Sequence, residues 1–117
     1  MKPHEIERHQ ALPHQAEIVL QLDPSLFWFS RHFSVQPLLP GVAQLNWAMD
    51  YATTLLVPGW RFHSIQNVKF QSLLLPEATV TLSLSWQEAR QMLTFSYQRH
   101  DGDVRHTASS GKIRLCR

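Results

Sequence analysis

Two hydrophobic periodicities divide this chain into regions of different predicted structure. Between residues 41 and 56 apolar side chains recur every three or four positions, which is the spacing of a helix with an apolar face. From residue 61 onward apolar and polar side chains alternate, most strictly from Ala78 to Trp86, which is typical of strands with one buried face. The pattern predicts one long helix followed by several strands.

The helix has clear sequence boundaries. It is expected to begin at Gly41, because Pro40 cannot continue a helix backwards, and to end before Pro58 and Gly59. Apolar residues lie on more than one side of it, which predicts a buried helix. The apolar stripe consists of Val42, Leu45, Met49, Ala52, Leu55 and Leu56. Other apolar residues lie between these positions: Ala43, Trp47, Ala48 and Tyr51.

One strand is predicted before the helix and about four after it. The first spans Glu17 to Leu22 and is broken by Asp23-Pro24-Ser25. The later strands are expected around residues 61–75, 78–86 and 93–97 and after the Asp101-Gly102 turn. Small residues from Ala108 to Gly111 interrupt the last strand and predict that another backbone, that of the buried helix, passes close by.

This order of elements predicts an α+β fold in which one antiparallel sheet wraps one buried helix. Residues 1–117 are read as a single domain, with residues 1–15 as an N-terminal arm or irregular lead-in. The chain is 44% hydrophobic and 17% charged, which suffices for a core without disulfides or a structural metal.

The cysteine count, the length of the apolar runs and the histidine spacing argue against several classes of protein. The single cysteine, Cys116, excludes an internal disulfide framework and is expected to be inert. No apolar run reaches the roughly 18 residues of a membrane span, and charged residues occupy the start of the chain, so a cytoplasmic protein is expected. The histidines of the first 15 residues have no metal-ligand spacing, so no metal is expected.

Charge argues against a nucleic-acid partner. The formal net charge is only +2, and the basic residues are mostly scattered, whereas nucleic-acid binding needs a dense patch. One cluster stands out near the C-terminus, at Lys112, Arg114 and Arg117. It is expected to be a solvated strand face, with a docking surface for an acidic protein as the alternative.

Candidate chemistry lies where a loop meets the helix. His32 stands in the segment before the helix, and Gly41 leaves the first helical N–H groups unobstructed. A thioester carbonyl placed there would gain hydrogen bonds that strengthen as it becomes enolate-like. His32 could then remove a proton from the adjacent carbon.

The string from His32-Phe33 through Pro37-Leu38-Leu39-Pro40-Gly41-Val42 to Trp47-Ala48 resembles the hotdog-fold 3-hydroxyacyl-[acyl-carrier-protein] dehydratases. The likeness is greatest to the small dehydratases of aryl polyene lipid biosynthesis, and the segment Ile65 to Phe70 followed by Leu75-Pro76 supports it. The resemblance implies removal of water from a 3-hydroxyacyl thioester to give the trans-2-enoyl thioester, in fatty acid or aryl polyene biosynthesis. It implies no cofactor, an acyl carrier protein as partner, and a homodimer or a higher assembly of dimers.

The resemblance also assigns roles to individual residues. His32 would act as the base and Gly41 would polarise the thioester carbonyl, while Phe33, Pro40, Val42 and Trp47 are expected to bind substrate. The family's acid, which protonates the departing hydroxyl across a dimer interface, falls at Asn46 in this chain. An amide has no ionisable proton to donate at neutral pH, although it can orient a hydroxyl.

That departure leaves alternatives open. Asp50, one helical turn after Asn46, is a possible replacement acid if the substrate lies deeper. The same fold could instead support an acyl thioesterase, in which water attacks the carbonyl at Gly41. A third possibility is a non-catalytic protein that binds acyl chains or acyl carrier protein, in which Asn46 marks lost chemistry.

Overall fold

A computed structural model describes residues 3–10, 12–22, 41–75 and 77–117. The helix α1 spans Gly41–Leu55. The strands are β1 (His4–His9), β2 (Gln15–Gln21), β3 (Arg61–Phe70), β4 (Thr79–Gln87), β5 (Met92–Asp101) and β6 (Val104–Cys116). They form a six-stranded sheet in the order β1-β2-β4-β5-β6-β3, with every neighbouring pair antiparallel. The predicted helix and the antiparallel strands after it are confirmed.

The core lies between one face of the sheet and α1. The inward side chains of β4 and β5 alternate as predicted, with Leu82, Leu84, Leu93 and Phe95 at most 2% exposed. Alternation buries every second residue because successive strand side chains point to opposite faces. On the helix, the buried residues are Ala43, Gln44, Trp47, Ala48, Tyr51 and Ala52. One stripe of α1, which includes Val42, Asn46 and Asp50, is exposed, so the helix is not buried on all sides as predicted.

The first residues of the chain correct one prediction. An irregular arm was expected over residues 1–15, but His4–His9 form an edge strand that pairs antiparallel with β2. Five of its six side chains are exposed, so the strand needs no alternating apolar residues and leaves no periodic signal in the sequence. The carboxylate of Glu5 ties the strand to the helix by accepting a hydrogen bond from the hydroxyl of Tyr51 on α1.

Strand β3 forms the other edge of the sheet and carries two bulges. Phe62 pairs with Leu115 and Ile65 with Ile113, although Phe62 and Ile65 are three residues apart. The extra residue, His63, shifts the register and turns both apolar side chains to the face that α1 occupies. A second register shift, between Ile65 and Asn67, displaces the rest of β3 by one more residue relative to β6. Period-two spacing therefore fails on this strand.

The small residues of β6 have two different neighbours. Ser109 contacts the helix, as predicted, because its hydroxyl donates a hydrogen bond to Gln44 Oε1 over 2.6 Å. Gly111 instead faces β3 and β5: a Cβ atom there would lie 2.5 Å from Asn67 O and 2.9 Å from Phe95 Cε1. The close approach is thus made mainly by the neighbouring strand.

No helix of the described residues is long and apolar enough to cross a membrane.

Candidate active site

A cavity of about 370 Å³ lies between α1 and the edge strand β3. We call it the groove. The helix contributes Val42, Leu45, Asn46 and Met49, and the sheet contributes Phe62, Ile65 and Ile113. Among the described residues of this lining Asn46 is the one polar side chain, so this part of the groove is apolar with one amide that can form hydrogen bonds.

Asn46 lies where a bound acyl thioester could meet it. It is exposed on the outer stripe of α1, and no hydrogen bond to its side chain is found among the described residues. Asp50 is also exposed on that stripe, about 6 Å further along the helix axis, but it does not line the groove. The geometry brings Asn46 and Val42 together and leaves Asp50 outside.

The start of α1 is covered by an aromatic ring of β3. A Cβ atom at Gly41 would stand 2.6 Å from Cζ of Phe70, so the ring lies directly against the first helical residue. Phe70 is itself 54% exposed. Its ring therefore forms a wall beside the first N–H groups of the helix, which have no partner within the helix, at the end where the thioester carbonyl is predicted to lie.

A buried polar anchor, which the sequence pattern did not reveal, fixes the helix beside the groove. Gln44 is 3% exposed, and its side-chain oxygen accepts the hydrogen bond from Ser109. Its backbone oxygen accepts a hydrogen bond of 2.7 Å from the hydroxyl of Tyr97. Buried polar groups are satisfied in this way because an unmade hydrogen bond is costly. The signal that could have found it is a glutamine one turn before the buried Ala48, on the inward side of the helix.

Both buried tyrosines keep their protons at neutral pH. Burial raises the pKa of Tyr97 well above its ordinary value. Burial, together with the charge of Glu5 and a hydrogen bond to it, raises the pKa of Tyr51 to about 12. Both hydroxyls therefore act as hydrogen-bond donors within the fold. Among the described residues, no three His, Cys, Asp or Glu side chains stand together to hold a metal ion.

The other predicted site residues divide into two groups. His32, Phe33 and Pro40 lie outside the described residues. Trp47 is 3% exposed in the core and is not part of the groove lining.

A second cavity, also about 370 Å³, lies against β2, β4 and β5 and contains none of the predicted site residues.

Sequence comparison identifies the family. The family model for ApeI dehydratase, named ApeI-like, matches residues 7–112. The chain belongs to the ApeI-like dehydratase family. This confirms the resemblance to hotdog dehydratases that the motif around the helix start indicated. No curated protein matches the sequence.

Solved structures support the same assignment for this ApeI-like chain. The dehydratase heterocomplex ApeI:P from Xenorhabdus doucetiae contains a chain with 56% identity and a TM-score of 0.94, covering 100% of both chains. An uncharacterized protein from Erwinia carotovora subsp. atroseptica is 54% identical with a TM-score of 0.93, covering 99% of this chain and 97% of its own.

A more distant match confirms the fold alone. The CurK dehydratase domain of a polyketide synthase, as an inactive Asp-to-Asn mutant, is 19% identical with a TM-score of 0.72, and the match covers 98% of this chain and 43% of that chain. Together these similarities confirm the hotdog fold of this ApeI-like chain.

Proposed function

We propose that this chain is a dehydratase that removes water from a 3-hydroxyacyl thioester carried on acyl carrier protein and yields the trans-2-enoyl thioester. The pathway would be aryl polyene or fatty acid biosynthesis in the cytoplasm. The observation that carries the proposal is the apolar groove at Asn46, in a chain whose family model is that of a dehydratase. Its lining suits an acyl chain and offers one polar group to a substrate hydroxyl.

The proposed reaction gives a role to each of three residues, as the family resemblance implies. His32 takes the proton from the carbon next to the thioester carbonyl, and the N–H of Gly41 stabilises the negative charge that develops on the carbonyl oxygen. The bond between the β-carbon and its hydroxyl then breaks. The departing oxygen leaves as water by taking up the proton that His32 removed or a proton from solvent, while Asn46 orients that oxygen but donates no proton to it.

A product assay tests this proposal. We expect a 3-hydroxyacyl-acyl carrier protein incubated with this protein to lose the mass of one water, with the acyl group still attached. Intact-protein mass spectrometry follows loss of water and loss of the acyl group separately. Release of free thiol without loss of water would favour a thioesterase, in which water attacks the carbonyl at Gly41. Binding of the carrier with neither reaction would favour a non-catalytic binding protein.

We also propose that two chains associate, because strand β3 exposes apolar side chains at the edge of the sheet. Phe62, Ile65 and Phe70 are about half exposed, at 51%, 47% and 54%. Exposed apolar edge strands pair readily with another strand. We propose that β3 pairs with a second copy in a homodimer. A different second chain is the other possible partner, since the structure from Xenorhabdus doucetiae is a heterocomplex.

Substitution of Ile65 tests the pairing. We expect Ile65→Lys to shift the protein from dimer to monomer, because a lysine at this edge would bring charge into the apolar contact. Light scattering after size exclusion measures the mass against that of the 13.6 kDa chain. The control is Val104→Lys, at a side chain of similar exposure, 55%, beside the β5–β6 turn. A monomeric parent, or equal loss of dimer in both variants, would contradict pairing through β3.

A further inference from the structure

Three residues that are paired across neighbouring strands all contact the first turn of α1. Tyr97 of β5 pairs with Ser109 of β6, and Ser109 pairs in turn with Phe70 of β3. The hydroxyls of Tyr97 and Ser109 donate hydrogen bonds to Gln44, and the ring of Phe70 lies against Gly41. The start of the helix is therefore placed on the sheet by one row of paired residues.

A β-bulge turns Ser109 toward the helix. Tyr97 pairs with Ser109, but the next residue of β5, Gln98, pairs with Thr107, so Ala108 is an extra residue in β6. Ala108 and Ser109 are both 0% exposed, although adjacent residues of a regular strand point to opposite faces. Bulges redirect side chains in this way and are common beside active sites.

The hydrogen bonds to Gln44 fix its direction as well as its place. The hydroxyl of Tyr97 donates to the backbone oxygen of Gln44 over 2.7 Å, and that of Ser109 donates to Oε1 over 2.6 Å. All three residues are at most 3% exposed. Hydrogen bonds weaken steeply as their angle departs from linear, and a buried group that loses its partner is costly. A rotation or slide of the helix start would therefore be opposed by both bonds.

Apolar packing alone would hold the first turn of α1 less precisely. The buried residues of this turn are Ala43 and Gln44, whereas the large buried residues of the helix, Trp47 and Tyr51, come later. Apolar contacts are not directional, and a methyl group forms no ridge that interlocks with the sheet. The ring of Phe70 is half exposed and can turn. The orientation of the first turn thus depends on the hydrogen bonds to Gln44.

Gln44 lies between the two helix positions that the proposed reaction uses. Gly41 precedes it by three residues, about 4.5 Å along the axis, and Asn46 follows it by two, about 3 Å. Successive residues are about 100° apart around the axis, so Asn46 lies about 200° from Gln44. This spacing directs Gln44 to the sheet and Asn46 to the groove. A turn of the helix at Gln44 would move Asn46 by the same angle.

We propose that Gln44, Tyr97 and Ser109 are positioning residues for the dehydration. Their hydrogen bonds orient the first turn of α1, so that the N–H of Gly41 meets the thioester oxygen and the amide of Asn46 meets the substrate hydroxyl. The three residues act through the helix and do not touch the substrate. This inference rests on the proposed function, because it concerns the groups that act in that reaction. A misplacement of about 1 Å in a reacting geometry can cost about 10²-fold in rate.

The test compares two substitutions that each remove one buried hydroxyl and keep the shape of the side chain. Tyr97→Phe deletes a hydrogen bond to Gln44. Thr81→Val deletes a bond of similar length on the other face of the sheet, where the hydroxyl of Thr81, 1% exposed, lies 2.6 Å from Nε2 of His100. We expect Tyr97→Phe to lower kcat for 3-hydroxyacyl-pantetheine by about tenfold to 10²-fold, with KM within about twofold of the parent. Thr81→Val is expected to keep the kcat of the parent.

Ser109→Ala is a second variant with the same expected result, since it removes the other hydrogen bond to Gln44 and leaves Tyr97 in place. Thermal unfolding shows that each variant folds, and rates are compared well below every unfolding midpoint. An equal fall of kcat in Thr81→Val would mean that loss of any buried hydrogen bond slows the protein. Unchanged kcat in both Tyr97→Phe and Ser109→Ala would mean that the helix keeps its place without these bonds. Either result overturns the proposal.

Side-chain amide signals in NMR separate positioning from the proposed reaction, because they need no turnover. The chain has two asparagines, Asn46 and Asn67, and the signal of Asn46 is the one missing from Asn46→Asp. We expect 3-hydroxyacyl-pantetheine to shift the Asn46 signal in the parent and in Thr81→Val but much less in Tyr97→Phe, with Asn67 unmoved. If this difference is seen but the parent forms no enoyl product, positioning stands and the proposed reaction fails. An equal shift in all three proteins, or none in any of them, overturns positioning even where dehydration proceeds.

Discussion

Asn46→Asp is expected to dehydrate a 3-hydroxyacyl thioester about 10²- to 10⁴-fold faster than the parent, the range in which a positioned general acid contributes to rate. The substitution places a carboxyl group at the one polar position in the described lining of the groove. A carboxyl group, unlike an amide, can carry a proton to the departing oxygen. The amide of the parent holds the hydroxyl in place but has no proton to give.

The same mass-spectrometric assay of water loss measures this effect. Two controls accompany it. Asp50→Asn removes the carboxyl that lies outside the groove, and we expect no loss of rate, whereas a large loss would make Asp50 the acid. The unfolding midpoint of Asn46→Asp should match that of the parent, because the position is exposed and both residues have similar helix propensity. Equal rates in the variant and parent, with substrate bound, would show that position 46 does not limit the reaction.

Gly111→Ala is expected to be the most destabilising single change described here, at about 2 to 3 kcal/mol of unfolding free energy, the usual cost of overpacking a rigid core. The added Cβ would lie 2.5 Å from Asn67 O and 2.9 Å from both Phe95 Cε1 and Val68 Cγ2. Two of these three strands would have to move apart, because a backbone oxygen in a paired strand cannot yield alone.

Gly41→Ala is the matched control for that substitution. Its Cβ would also be too close to a neighbour, 2.6 Å from Phe70 Cζ, but the neighbour is the end of a half-exposed ring that can turn away. We expect a loss below about 1 kcal/mol, typical of a site that can relax. Urea unfolding of both variants at one protein concentration compares them. Equal losses would mean that the strands at Gly111 relax as readily as the Phe70 ring.

The helix and the alternating strands could be predicted because neighbouring residues in the sequence determine where they begin, end and bury a face. The helix begins at Gly41 and ends at Leu55, as expected from Pro40 before it and Pro58-Gly59 after it. Strands β4 and β5 followed from strict alternation, since each has one buried face. Strand β1 was missed for the converse reason: nearly all of its side chains are exposed, so burial imposes no pattern on its sequence.

The groove could not be predicted because it depends on long-range pairing. Its sheet side requires Phe62 and Ile65 to share a face, which follows from the bulge at His63 and from the register with β6. Asn46 and Val42, which the motif resemblance selected, lie four residues apart on the helix and both line the groove. Trp47 was expected to bind substrate but is directed into the core, since adjacent helix positions differ by about 100° around the axis.

The exposure of Asn46 has an evolutionary consequence. A residue in the core is constrained by packing, so a change in its chemistry usually costs stability as well. Asn46 is solvent-exposed in the single chain and has no side-chain hydrogen bond among the described residues. Acid and amide can therefore be exchanged at this position without endangering the fold. If the proposed role of position 46 holds, one substitution there changes the rate of dehydration with no loss of stability.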